Sequence, residues 1–142
     1  MDCSISSDLF LSLDSDNFSD ALDDSLDDTP LNDLLHLSFS GHKNNFNICH
    51  INAQSLPAHF TELLATFTSK NIHACLISES FLKPSLPSKS FVLPGFVLIR
   101  NDRTGKGGGG VAIYLRSELK FKVISKSPSL YSSSMEHLFI EV

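Results

Sequence analysis

The sequence predicts an α/β or α+β fold in which helices cover a central sheet. From residue 45 onward the predicted order is one strand, one helix and then five strands. In the most pronounced strand pair, Phe96 to Ile99 and Val111 to Leu115, the apolar runs are nearly continuous, which is typical of strands covered on both faces. The chain has 142 residues, 42% of them hydrophobic, which is enough for one domain with a core.

Periodicity and turn residues place the individual elements. Residues 57–70 are predicted as an amphipathic helix, because four large apolar side chains recur at the i, i+3, i+4, i+7 spacing of one helix face. Three prolines among serines and lysines predict a loop over 83–95. Strands, rich in apolar and β-prone residues, are predicted at 46–51, 72–78, 96–99, 111–115, 119–124 and 135–142.

The turn between the hairpin strands is polar and contains four consecutive glycines, Gly107 to Gly110. Such a run is tolerable where the backbone needs positive φ or where a ligand or another backbone comes close. A nucleotide phosphate loop is excluded, because Lys106 is followed by glycine and a strand instead of Ser or Thr and a helix. The basic residues Arg100, Arg103 and Lys106 could contact a nucleic-acid backbone, and a solvated hairpin tip is the alternative.

The charge of the chain is split between two regions. Residues 1–42 contain ten aspartates and no lysine or arginine, which gives a formal charge of −10. Because the net charge of the chain is −5, residues 43–142 have a charge of +5. Dense like charge with many serines predicts that residues 1–44 form a disordered acidic tail. Alternatively, Phe18, Leu22 and Leu26 share one helix face, and the tail would then fold on a protein partner.

The composition also bounds the cellular setting. The three cysteines are an odd number without CxxC spacing, which predicts neither a disulfide framework nor a zinc site. Cys49 and Cys75 lie inside apolar runs and are predicted to be buried. A reducing, intracellular compartment is expected, either nucleus or cytoplasm. The acidic N-terminus does not resemble a secretory signal, and no apolar run reaches the ~20 residues of a membrane span.

Asn52 and Glu79 are the candidate site residues, because each directly follows a predicted strand. If those strands are parallel neighbours joined by the helix, both side chains emerge at the sheet end where α/β proteins place their sites. A carboxylate with an amide oxygen suits Mg²⁺, which binds few protein ligands and keeps several waters. Alternatively, Asn52 turns the backbone and Glu79 is a surface acid.

Five motifs, in this order, resemble the start of the endonuclease/exonuclease/phosphatase superfamily. They are Ile48–Leu56, Cys75–Leu82, Pro94–Phe96, Arg100–Arg103 and Gly107–Arg116. The chain is most similar in character to the endonuclease domain that precedes the reverse transcriptase in LINE-type, non-LTR retrotransposons. The resemblance covers residues 45–142.

The resemblance implies an incomplete four-layer α/β sandwich of the DNase-I-like kind, a mixed sheet with covering helices. It implies Mg²⁺-dependent hydrolysis of phosphodiesters, with DNA as the substrate. Asn52 and Glu79 match residues of the metal and phosphate site, and Glu136 resembles a glutamate that supports it. The basic hairpin matches the family's pattern without a catalytic role.

The last predicted strand reaches Val142, and the family's later motifs would lie beyond it. These are a Tyr or His, an Asp-x-Asn pair and an Asp-His pair. Metal-assisted hydrolysis needs a placed water together with transition-state stabilisation, so the 142-residue chain is predicted to be an inactive fragment by itself. A non-enzymatic interaction protein using the acidic tail, or a gene-model fragment without a stable fold, are the alternatives.

Overall fold

The computed structural model describes residues 12–13, 44–67 and 71–142. The predicted tail over 1–44, including its helical face, lies outside the described residues except at its two-residue strand and at Asn44. The elements are β1 Ser12–Leu13, β2 Ile48–Asn52, α1 Leu56–Phe67, β3 Ala74–Ser78, a 3₁₀ turn Ser88–Phe91, β4 Phe96–Asn101, β5 Val111–Arg116, β6 Lys122–Lys126 and β7 Leu138–Glu141.

The predicted helix, the hairpin and the strand order from residue 45 onward are confirmed, with shifts at the element ends. Helix α1 begins at Leu56, so Pro57 lies in the first turn, where its missing N–H costs no intrahelical bond. β6 begins at Lys122 instead of residue 119, because Leu119 N donates to Arg116 O at 3.0 Å and closes the turn after β5.

A mixed five-stranded sheet forms the centre of the molecule, in the order β1-β2-β3-β5-β4. β1, β2 and β3 are parallel, with Asn52 opposite Ser78, and β5 is antiparallel to both β3 and β4. β6 and β7 form a separate antiparallel pair with an irregularity between Val123 and Ser125. The structure is therefore a small α/β fold with one mixed sheet and a second, smaller sheet.

Helix α1 and the loop before β4 cover one face of the central sheet, here called the helix face. Phe67 is 1% exposed and meets the Phe96 ring edge-on, and burial of a side chain of this size contributes about 1.5–3 kcal/mol. The Tyr114 hydroxyl donates to Phe91 O at 2.9 Å, so its polar group is satisfied within the core. The buried members of this face are Cys49, Ala53, Leu56, Leu63, Phe67, Ile72, Cys75, Ile77, Leu82, Phe91, Leu93, Ala112 and Tyr114.

The opposite face, here called the second face, is covered more thinly. Its buried cluster is Ala74, Ile99, Ile113 and Leu115, on which Leu138 and Ile140 of β7 pack while partly exposed. Every residue of β6 is exposed. Asn101 joins the two sheets, since its Nδ2 donates to Ser127 O at 3.0 Å and to His137 O at 3.2 Å.

Two further sequence predictions concern the cysteines and membranes. Cys49 and Cys75 are buried and free, as predicted, and face each other across the β2–β3 ladder. Across the described ranges, no helix has the length and apolar character needed to cross a bilayer.

Candidate functional site

The candidate site lies at the carboxyl end of β2 and β3, where the sequence predicts it. The two strands are parallel neighbours, so Asn52 at the end of β2 and Glu79 just after β3 leave the sheet at the same edge. The loops after the strands are tied together, because Ser55 N donates to Glu79 O at 3.0 Å and Leu56 N donates to Ser80 O at 2.9 Å.

The backbone at this edge is held in an uncommon conformation. Among the residues that the structure describes, four non-glycine residues have positive φ, namely Gln54 (43°), Ser55 (107°), Glu79 (50°) and Phe81 (54°). Each such residue costs on the order of 1–3 kcal/mol and persists where the surrounding contacts over-determine it, commonly at functional sites. All four lie in the two loops that carry Asn52 and Glu79, which singles out this edge of the sheet.

The glycine turn of the hairpin completes the site. Ser80 N donates to Gly110 O at 3.0 Å and Phe81 N to Gly109 O at 2.8 Å, so the turn runs along the loop after β3. In the other direction, Gly109 N donates to Glu79 Oε2 at 3.0 Å and Gly110 N donates to Glu136 Oε2 at 2.9 Å. Two consecutive amides therefore bind the two carboxylates.

Only glycine fits at the two amides that bind the carboxylates. Gly110 has φ +83°, and a Cβ there would lie 2.7 Å from Oγ of the fully buried Ser80. Gly109 has φ +68°, and a Cβ would overlap the Arg103 guanidinium. Gly109 and Gly110 thus serve positive φ and close approach, two of the reasons that the sequence allows.

The three basic residues of the hairpin differ in what they contact. Arg100 pairs with Asp102 through two bonds of 2.7 and 2.6 Å and donates to two loop carbonyls. Arg103 donates to Gly108 O at 2.9 Å and lies 3.3 Å from Glu136 Oε1. Lys106 is exposed, with its Nζ 4.5 Å from the centre of the Tyr131 ring. Contact of all three with nucleic acid stays a prediction, and Lys106 is the best placed for it.

The side chain of Asn52 takes part in a backbone turn at this edge of the sheet. Its Oδ1 accepts a hydrogen bond from Gln54 N at 3.3 Å, so it does turn the backbone, while the residue remains at the site edge. Its ladder partner Ser78 bonds through Oγ to His50 Nε2 at 3.1 Å. Alternation along β2 could have placed His50 on the face of Asn52, because residues i and i+2 of a strand share a face.

No protein-family model matches the chain, and no curated protein matches it either. A small α/β fold by itself hosts many activities, so the geometry of the site is what bears on function.

The donor atoms at this edge fit a hard cation such as Mg²⁺. They are carboxylate and amide oxygens, and Glu79 Oε1 accepts no hydrogen bond from the described residues. In residues 44–67 and 71–142, no group of three or more His, Cys, Asp or Glu is placed to hold a metal ion. Mg²⁺ beside phosphate groups commonly has only one or two protein carboxylates as ligands, together with several waters.

Proposed function

We propose that residues 45–142 are the N-terminal part of a Mg²⁺-dependent endonuclease domain that hydrolyses DNA phosphodiesters. The observation that carries this proposal is the convergence of Glu79 and Glu136 on the consecutive amides of Gly109 and Gly110, beside Asn52. The resemblance to the endonuclease/exonuclease/phosphatase superfamily assigns Asn52 and Glu79 to the metal and phosphate site and gives Glu136 a supporting role there. The retrotransposon origin of the domain follows from the same resemblance.

The layers of the fold support a four-layer sandwich as the complete architecture. Helix α1 packs outside the central sheet on the helix face. The β6–β7 pair packs on the second face through Leu138 and Ile140. Helix, sheet and second sheet are then three successive layers of the proposed sandwich, with the second sheet represented by two strands.

The site residues have separate roles in this proposal. Glu79 and Asn52 would hold Mg²⁺, which supplies charge to stabilise the phosphoryl oxygens and to activate a water. Glu136 holds the edge of the site through Gly110 and adds negative charge to it. Lys106, at the exposed end of the hairpin, would contact a backbone phosphate of the DNA.

The attacking water also needs an orienting group, which the resemblance assigns to an Asp-x-Asn pair. Of the histidines, His50 bonds to Ser78 near this edge, whereas His73 accepts from Asn47 N at the other end of the sheet. Without that orienting group the water is poorly placed, which typically costs orders of magnitude in rate. The chain is accordingly expected to bind metal and DNA but not to nick DNA by itself.

The test is DNA binding measured by fluorescence anisotropy, with and without Mg²⁺, on a short labelled duplex. Mg²⁺ should tighten binding by wild-type protein, and Glu79→Gln should remove that gain. Glu118→Gln is the matched control, because Glu118 is an exposed carboxylate in the turn after β5. Binding that is indifferent to Mg²⁺ and to Glu79→Gln would refute the proposed function.

A nicking assay on supercoiled plasmid DNA with Mg²⁺ tests the expected lack of activity. Wild-type protein should leave the plasmid supercoiled. Robust nicking that disappears in Glu79→Gln would show that residues 1–142 hold a complete catalytic apparatus, and the expected inactivity would then be wrong.

A further inference from the structure

We infer that Arg103 is a positioning residue, which orients both site carboxylates through the glycine turn, and that this is its main role instead of phosphate contact. Its consequence for catalysis rests on the proposed function, whereas the positioning itself does not. Arg103 lies on neither of the strands that end at the site, and its side chain is 16% exposed.

One peptide plane links Arg103 to Glu79. The Gly108 carbonyl and the Gly109 amide belong to the same planar peptide unit and point in opposite directions. Arg103 Nε donates to Gly108 O at 2.9 Å on one side of that unit, and Gly109 N donates to Glu79 Oε2 at 3.0 Å on the other. Holding the carbonyl therefore aims the amide at the carboxylate.

The next peptide plane is held in the same way, from the backbone. The Gly109 carbonyl accepts from Phe81 N at 2.8 Å, and the Gly110 amide donates to Glu136 Oε2 at 2.9 Å. Arg103 adds a direct contact to the same carboxylate, with its Nε 3.3 Å from Glu136 Oε1. Both carboxylates thus depend on the guanidinium, one through a peptide plane and one by ion pairing.

The shape of the guanidinium matters as much as its charge. Arg103 also donates through Nη2 to Gly107 O at 2.8 Å, so two successive carbonyls bind to one planar fork. The guanidinium fills the space that a side chain at Gly109 would need. A lysine ammonium is a compact point charge and cannot reproduce this fork, although it would serve equally well as a phosphate contact.

The experiment compares wild-type protein with Arg103→Lys and Arg103→Gln by NMR hydrogen exchange at one fixed pH, without metal or DNA. For both variants, exchange at the Gly109 and Gly110 amides should accelerate at least tenfold. The Tyr114 amide, in the core of β5, reports whether the fold is intact and should keep its protection. Unchanged exchange at both glycines in the folded Arg103→Lys protein would overturn the inference.

Mn²⁺ binding provides a second measurement, because a positioning role and a purely structural role of Arg103 predict different affinities for the variants below. Substitution of a residue that holds a metal ligand in place commonly lowers metal affinity 10–100-fold. Arg103→Lys should therefore weaken Mn²⁺ binding about tenfold, although it keeps the positive charge. Lys120→Ala, which removes an exposed charge between β5 and β6, should leave Mn²⁺ affinity within about twofold. If both variants weaken Mn²⁺ binding equally, the effect is not specific to Arg103, and the positioning role of Arg103 is contradicted. If wild-type protein binds no Mn²⁺, the proposed function fails, and the exchange measurement still decides the role of Arg103.

Discussion

The helix face and the second face of the central sheet differ in how completely they are buried. On the helix face, α1 and the loop before β4 bury large side chains such as Phe67 and Leu63 almost fully. On the second face, β7 contributes the half-buried Leu138 and Ile140, and Val97 of β4 is 39% exposed. The comparison indicates that the helix face supplies most of the hydrophobic stabilisation. The candidate site lies at the edge between the faces and is organised by hydrogen bonds.

The largest expected difference between the faces comes from truncating one leucine on each. Leu63→Ala removes a side chain that is 5% exposed and should lower the free energy of unfolding by about 2–5 kcal/mol. Leu138→Ala removes a side chain that is partly exposed, and should cost about 1 kcal/mol, because water already reaches it. Urea unfolding followed by circular dichroism measures both. Equal losses would contradict the difference between the faces.

A pair of glycine variants tests the edge that lies between the faces. Gly110→Ala places a Cβ at φ +83° and 2.7 Å from Ser80 Oγ, which should cost about 1–3 kcal/mol from backbone strain alone. Gly107→Ala is the matched control, because its Cβ would meet no atom within 4 Å. Its effect should be close to zero or slightly stabilising. If the two substitutions shift the urea midpoint equally, the close packing of the turn on Ser80 is not maintained in solution.

Alkaline pH should lower the free energy of unfolding through two groups on the helix face, Cys75 and Tyr114. Burial, followed by the neighbouring Cys49 thiol, raises the pKa of Cys75 well above its ordinary value. Burial, followed by Cys75, raises the pKa of Tyr114, with Arg100 acting in the opposite direction. The folded protein thus retains protons that the unfolded chain loses, so stability is fully present below the unfolded pKa values and falls as pH rises through about 8.5 for cysteine and about 10 for tyrosine.

Urea midpoints between pH 7 and 10.5 measure this decline. Cys75→Ala should flatten the part that begins near pH 8.5, and Tyr114→Phe the part above about pH 10. Tyr114→Phe also leaves the Phe91 carbonyl without its hydrogen bond, which should cost about 1–3 kcal/mol at every pH. The same slope in wild-type protein and Cys75→Ala would show that the thiol ionises as freely in the fold as outside it.

The sequence predicts the position of Asn52 and Glu79 because a local rule is sufficient. Two strands that are joined by an amphipathic helix form a parallel pair. The residues at the ends of both strands therefore meet at one edge of the sheet. The helix follows from periodicity, and the hairpin and the burial of Cys49 and Cys75 follow from short apolar runs, which are local patterns as well.

The roles of the glycine turn and of Arg103 could not be predicted in that way. The bonds from Gly109 to Glu79 and from Gly110 to Glu136 join residues 30 and 26 positions apart, and no periodic pattern encodes such pairings. A basic residue in a polar turn has the same local signature whether it faces DNA or carbonyl oxygens. Glu136 is likewise predicted as a site residue only by the family resemblance.

A Mn²⁺ titration followed by electron paramagnetic resonance, with Mn²⁺ standing in for Mg²⁺, shows whether the carboxyl end of β2 and β3 binds a metal ion. Wild-type protein and the exposed-carboxylate control Glu118→Gln should bind one ion with the same affinity, and Glu79→Gln should bind it at least tenfold more weakly. Circular dichroism of Glu79→Gln checks that the fold is retained. Equal stoichiometry and affinity in wild-type protein and Glu79→Gln would contradict a metal site at the carboxyl end of β2 and β3.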